Sequence, residues 1–192
     1  MLCLLRMFGV LVATIFSSMV PATAASLYGS TVAAAWYCCT APTEPYRQTE
    51  FTSAIAGDLI EYSETAFYWF GQGYVSWNGT MDIQERSILI QSTKNSAGSP
   101  PDSFGGMVLT FTNAPTILSV STNFSSNILP IWVTSTDGTV TINLSNITRT
   151  TGSFLLLDIT LAPVPELSSA ALLLIGCTLI FIHRKMSCRS DA

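Results

Sequence analysis

Apolar and polar residues alternate with a period of two through most of the middle of the chain. From Thr139 to Ser145, Val140, Ile142 and Leu144 fall on one side and Thr141 and Asn143 on the other. That is the spacing of a strand with one buried face. Phe154 to Leu161 repeats it with Leu155, Leu157, Ile159 and Leu161, and Met107 to Thr112 with Met107, Leu109 and Phe111. Ser87–Gln91, Ile117–Thr122 and Leu129–Val133 predict further strands, the last weakened by Pro130. Looser alternation runs through Ser26–Tyr37 (Leu27, Val32, Trp36) and Phe51–Glu64 (Phe51, Ile55, Leu59, Ile60, Tyr62). Phe67 to Trp77 is aromatic and punctuated by glycine. Asn78-Gly79 predicts a hairpin turn and Asp137-Gly138 a second tight turn. Proline and glycine mark Thr40–Gln48 and Ser92–Ser103 as loops. About eight or nine short strands with frequent turns predict an all-β domain, an antiparallel β-sandwich or jelly-roll-like fold. No segment of the middle has helical period.

The alternation stops at both ends, where apolar residues become continuous. Met1 to Ala24 has Arg6 as its only charge, an apolar run from Met7 to Phe16, a break at Ser17, Ser18 and Pro21, and small residues at Ala22 and Ala24. These are the three parts of a secretory signal peptide, with signal peptidase cutting after Ala24 or Ala25. At the other end, Leu167 to Ile182 is a sixteen-residue tract without charge, closed by His183, Arg184 and Lys185. As a helix it would measure roughly 24 Å, a short span for a hydrocarbon core about 30 Å thick. Cations beside a span stay on the cytoplasmic side. This puts Met186–Ala192 inside as a cytoplasmic tail and the middle of the chain outside. Both ends therefore predict the same topology.

Val164-Pro165-Glu166, followed by small and apolar residues and a basic end, resembles the PEP-CTERM sorting signal of exosortase substrates in Gram-negative bacteria. The family typically carries proline where this chain has Leu167, and usually stops soon after its basic cluster. The resemblance implies four parts: signal peptide 1–24, β-sandwich ectodomain 25–162, sorting signal 163–185 with transmembrane helix 167–182, and tail 186–192. It also implies cutting near Pro165-Glu166 by an exosortase-type transpeptidase, from a membrane-anchored precursor to a mature form in the envelope or outside the cell. A permanent single-pass anchor is the plain alternative. Gly29-Ser30-Thr31-Val32, Ser103-Phe104-Gly105-Gly106 and Val140-Thr141-Ile142-Asn143-Leu144-Ser145 look like segments of small β-domains that often precede this signal. Members are often associated with exopolysaccharide production, which makes a polysaccharide the implied ligand.

Between Ala25 and Pro163 there are ten acidic and four basic residues, a net charge of −6. Such a surface repels phosphate backbones and argues against nucleic acid as a partner. The only histidine is His183, beyond the apolar tract. The exposed domain therefore cannot hold a Ser-His-Asp triad, a Cys-His dyad or a histidine-ligated zinc ion. No catalytic, cofactor or metal residue is assigned, and a non-enzymatic surface protein is expected. Cys38 and Cys39 are the only cysteines in the domain. Being adjacent, they promise no stabilising bridge; free thiols, a vicinal disulfide and a bond between chains all stay open.

Two clusters keep other chemistry in view. Asp58, Glu61 and Glu64 could converge on calcium or act as the paired carboxylates of a carbohydrate-active enzyme. On a strand, residues three apart point to opposite faces, so solvated edge charges are the bland reading. In the aromatic run, alternation sets Phe67, Trp69 and Trp77 on one side and Tyr68, Phe70 and Tyr74 on the other. One side must be core; the second is a candidate sugar platform. Four Asn-x-Ser/Thr matches begin at Asn78, Asn123, Asn143 and Asn146, and in a bacterial envelope they would usually be idle.

Overall fold

The computed structural model describes residues 25–74, 77–96 and 104–163. Among them, every regular element except a 3-10 turn at Glu44–Tyr46 is a β-strand. Strands β1 (Thr31–Cys38), β2 (Thr52–Ile55), β7 (Gly105–Thr112), β9 (Trp132–Thr136) and β10 (Thr139–Asn143) form a five-stranded sheet ordered β2-β1-β7-β10-β9. Strands β5 (Gly79–Ile83), β6 (Ser87–Ser92), β8 (Ile117–Thr122) and β11 (Phe154–Leu161) form a four-stranded sheet ordered β5-β6-β11-β8. A two-residue hairpin, β3 (Tyr68–Trp69) with β4 (Gly73–Tyr74), stands apart. All pairings are antiparallel. The all-β expectation therefore holds, in two antiparallel sheets.

One continuous core joins the two sheets. Val32, Ala34, Met107, Leu109, Val140 and Ile142 come from the first; Met81, Ile83, Ile88, Ile90, Leu155 and Leu157 come from the second. These are the inward positions of the alternation, and burying them supplies most of the driving force. Between β2 and β5 the chain adds an aromatic wedge. Phe67 stacks on Tyr62 at 5.6 Å and meets the edge of Trp77 at 5.6 Å. The Tyr62 hydroxyl donates to the Val32 carbonyl at 2.6 Å, and Trp77 Nε1 donates to the Ser63 carbonyl at 2.6 Å. Burial pushes the Tyr62 hydroxyl far above its ordinary range, so it stays a donor.

Where β7 begins, β1 and β10 close on it from either side, with Gly106 opposite Tyr37 and Asn143. A methyl group on Gly106 would run into the Ile142 carbonyl oxygen. Asn143 is buried, and its Oδ1 accepts from the Ser145 amide (3.0 Å) and hydroxyl (2.7 Å). Asn123 holds Ser125 in the same way, at 2.9 and 2.7 Å. Two of the Asn-x-Ser matches are thus side-chain turns. Asn143 is consumed by the fold.

Three strand expectations are corrected. Asn78-Gly79 closes no hairpin: Asn78 has a φ of 60° and leads into β5, which pairs with β6 rather than β4. Trp77, drawn into the core, sets that path. Phe51–Glu64 is strand only at Thr52–Ile55, because Gly57-Asp58 breaks it and Glu61 ties the following loop. Phe51, Ile55, Leu59 and Ile60 are exposed, and only Tyr62 of that set is buried. The strand expected at Leu129–Val133 begins at Trp132 and runs to Thr136, past Pro130, leaving Leu129 and Ile131 in water. Asp137-Gly138 turns as expected, with φ of 50° and 74°.

The domain has two unlike ends. Short turns gather at one: Gln84–Arg86, Asn113–Thr116 and Asp137–Gly138. Here the Arg86 carbonyl accepts Ile159 N, Thr116 accepts Ala162 N and Gly138 accepts Phe111 N, each at 2.8 Å. The other end carries the longer connections after β1, β6, β8 and β10. They are stitched by Ser96 to Arg149 (2.9 Å) and by Ile131 N to the Asn143 carbonyl (2.9 Å). The residues expected to carry export and sorting, Ala22, Ala24, Val164, Pro165, Glu166, the 167–182 tract, His183, Arg184 and Lys185, lie outside the described residues. No described helix is long and apolar enough to cross a membrane.

Candidate functional site

Beside β1, the segment Arg47–Glu50 acts as a connecting strand. Tyr37 bridges Arg47 on one side, and Thr49 bridges Trp69 of β3 on the other. Backbone bonds from Gln48 N to the Trp36 carbonyl (2.8 Å) and from Phe70 N to the Gln48 carbonyl (2.9 Å) fix both registers. Thr49 is buried, and its hydroxyl accepts the Trp36 amide at 2.9 Å. Trp36 and Trp69 pack on the core edge, with ring centres 6.1 Å apart. Phe51, Tyr68 and Phe70 are exposed, and Arg47 is half-buried.

The Arg47 guanidinium lies 4.6 Å from the centre of the Phe51 ring and 5.4 Å from that of Phe70. Its Nε sits 3.2 Å from Glu44 Oε2, at an angle that makes an ion pair but no hydrogen bond. Phe51 and Phe70 are each 45% exposed, Tyr68 38% and Tyr46 37%. Arg149, half-buried, stands 5.8 Å from the centre of the Trp36 ring and donates to Ser96 Oγ at 3.1 Å. Burial lowers its pKa from the ordinary arginine value. The result is two half-exposed rings, Phe51 and Phe70, against a half-buried guanidinium that is paired with Glu44. Rings of this kind stack on the C–H faces of sugars, and a guanidinium fork bonds hydroxyl or carboxylate oxygens.

Of the residues predicted for a platform, Tyr68 and Phe70 are exposed. Tyr74 pairs through its backbone with Tyr68, and its side chain lies outside the described residues. Phe67 and Trp77 are buried and Trp69 half-buried. Sequence reasoning missed Phe51, Tyr46 and Arg47.

Each carboxylate of the Asp58, Glu61, Glu64 trio has its own engagement. Glu61 accepts the amides of Gly57 (2.8 Å) and Ile83 (2.6 Å), and Glu64 pairs with Lys94 at 3.2 Å. Asp58 lines an open cavity of about 430 Å³ with Tyr28, Asp82, Glu85 and Arg86, at the short-turn end. Among the described residues no group of three or more His, Cys, Asp or Glu could hold a metal ion. Cys38 and Cys39 are bonded to each other at the end of β1. Of the states left open by the sequence this is the one found, and a ring enclosing no loop constrains the unfolded chain little.

Glu61 makes a pH test. Burial pushes its carboxyl above the ordinary value of 4.5, against the lowering effect of the Ile83 and Gly57 amides. The folded state then holds this proton more tightly than the unfolded chain. The group's contribution is complete below the unfolded pKa and fades as pH rises through the folded one. Urea midpoints measured at rising pH above 4.5 should therefore change less in Glu61→Gln than in the parent protein. An unaltered pH profile would contradict this account of the loop.

No protein-family model, no curated protein and no solved structure matches this chain.

Proposed function

We propose that this chain is a non-enzymatic exported surface protein, a β-sandwich of jelly-roll-like kind that associates with polysaccharide through its loop end. Signal peptidase removes 1–24, and the Pro165-Glu166 motif with the 167–182 span hands the precursor to an exosortase-type transpeptidase. The mature domain then works in the envelope or the extracellular matrix. The observation that carries the ligand reading is the pair of exposed rings Phe51 and Phe70 against Arg47, with Tyr68 also exposed on the adjoining hairpin. Rings left in water on a domain with a well-filled core are available for a partner. Of the carboxylates that would serve the enzymatic alternative, Glu61 is tied to backbone amides and Glu64 to Lys94.

The test is binding of the protein to a panel of neutral and acidic polysaccharides. Phe70→Ala and Phe51→Ala should each weaken binding about tenfold, equivalent to ~1.4 kcal/mol. Both residues are exposed, so unfolding curves should barely move. Silence across the panel, or unchanged affinity in both variants, would reject the platform.

A further inference from the structure

We propose that the short-turn end of the β-domain is a lipid-docking surface, which rests on neutral headgroups while the C-terminal tract is still attached. This rests on the reading that residues 167–182 span a membrane. The chain leaves the domain at Ala162, whose amide is bonded to the Thr116 carbonyl at 2.8 Å. Four residues separate Ala162 from Leu167, and the five steps between them reach at most about 18 Å when fully extended. The tether therefore brings this end to the bilayer surface and keeps its effective concentration there high. The loop end lies farther off by the length of β11, eight residues or roughly 26 Å.

The N-terminal side leaves from the same place. Ala25 O accepts Arg86 Nε at 3.1 Å, while the Arg86 carbonyl accepts Ile159 N at 2.8 Å. A precursor still carrying both apolar segments can thus keep both in one membrane.

This end also presents the side chains that such a contact uses. Leu59 is 81% exposed and Ile60 58%, side by side on the loop that Glu61 pins to Gly57 and Ile83. Leu118 is 59% exposed beside Ile117, the partner of Leu161. Apolar side chains on a fixed loop enter the headgroup boundary at little further entropic cost. Asp58, Asp82 and Glu85 around the neighbouring cavity repel anionic lipid and select neutral headgroups. Cutting at Pro165-Glu166 would then free the apolar tip from its tether.

The photoreactive residue p-benzoylphenylalanine, placed at Leu59, Phe124 or Leu173 of the full chain in phosphatidylcholine vesicles, tests this directly. Phe124 is the control, 98% exposed at the loop end. Lipid adducts counted by mass spectrometry should be abundant at Leu173, several-fold higher at Leu59 than at Phe124, and reduced at Leu59 by added phosphatidylglycerol. Adducts at Leu173 with equal yields at Leu59 and Phe124 would overturn the docking while leaving the span intact. No adduct at Leu173 would overturn the span, and the docking with it.

Discussion

Gly106→Ala is expected to destabilise the domain by about 3 kcal/mol or more, at the upper end for overpacking a close contact. The added methyl meets the Ile142 carbonyl, a backbone atom between two paired strands, rather than a side chain that could turn aside. Relief requires β7 and β10 to part where the Leu144 amide bonds the Gly105 carbonyl at 2.8 Å and Asn143 organises the turn to Ser145. With typical total stabilities of about 5–15 kcal/mol, one methyl removes a large share. Urea unfolding of the variant checks this. A midpoint equal to that of the parent would mean that the strands are not so close.

Phe67→Ala is expected to cost about 3–5 kcal/mol, the range for truncating a buried phenylalanine. Its ring fills the space between Tyr62 and Trp77 and touches no water. The loss should also reach the candidate platform, since Tyr68 and Phe70 follow directly and take their position from this anchor. Thermal unfolding and polysaccharide binding should therefore fall together in Phe67→Ala, whereas Phe70→Ala affects binding alone. A stable Phe67→Ala variant with intact binding would show that the wedge is not what positions that face.

Where one face of a strand is buried by a neighbouring sheet, the sequence was sufficient. Val140, Ile142 and Leu144, the odd-numbered leucines and isoleucine of β11, and Met107, Leu109 and Phe111 all sit in the core as their period demands. Local pattern failed where distant contacts decide. Leu59 and Ile60 resemble strand residues, yet their backbone follows a carboxylate that caps amides twenty-two residues away, at Ile83. Asn78-Gly79 has the composition of a hairpin, but the pull of Trp77 into the core governs its path. Gly106 bears no mark of its role, because its constraint is the nearness of β10 and not its own dihedral angles. Half of the candidate face, Tyr68 and Phe70, was readable from alternation. Arg47 was hidden in the loop expected at Thr40–Gln48 and Phe51 in the strand expected at Phe51–Glu64; the extended course that joins them is fixed by bridges to β1 and β3.

Everything proposed about sorting, matrix and lipid presupposes that the cell exports this chain. Mass spectrometry of both termini of the protein recovered from envelope and culture fluid tests that claim most directly. The expected species starts at Ala25 or Ser26 and ends near Pro165-Glu166. An undivided chain from Met1 to Ala192, found only in the cytosol, would contradict it.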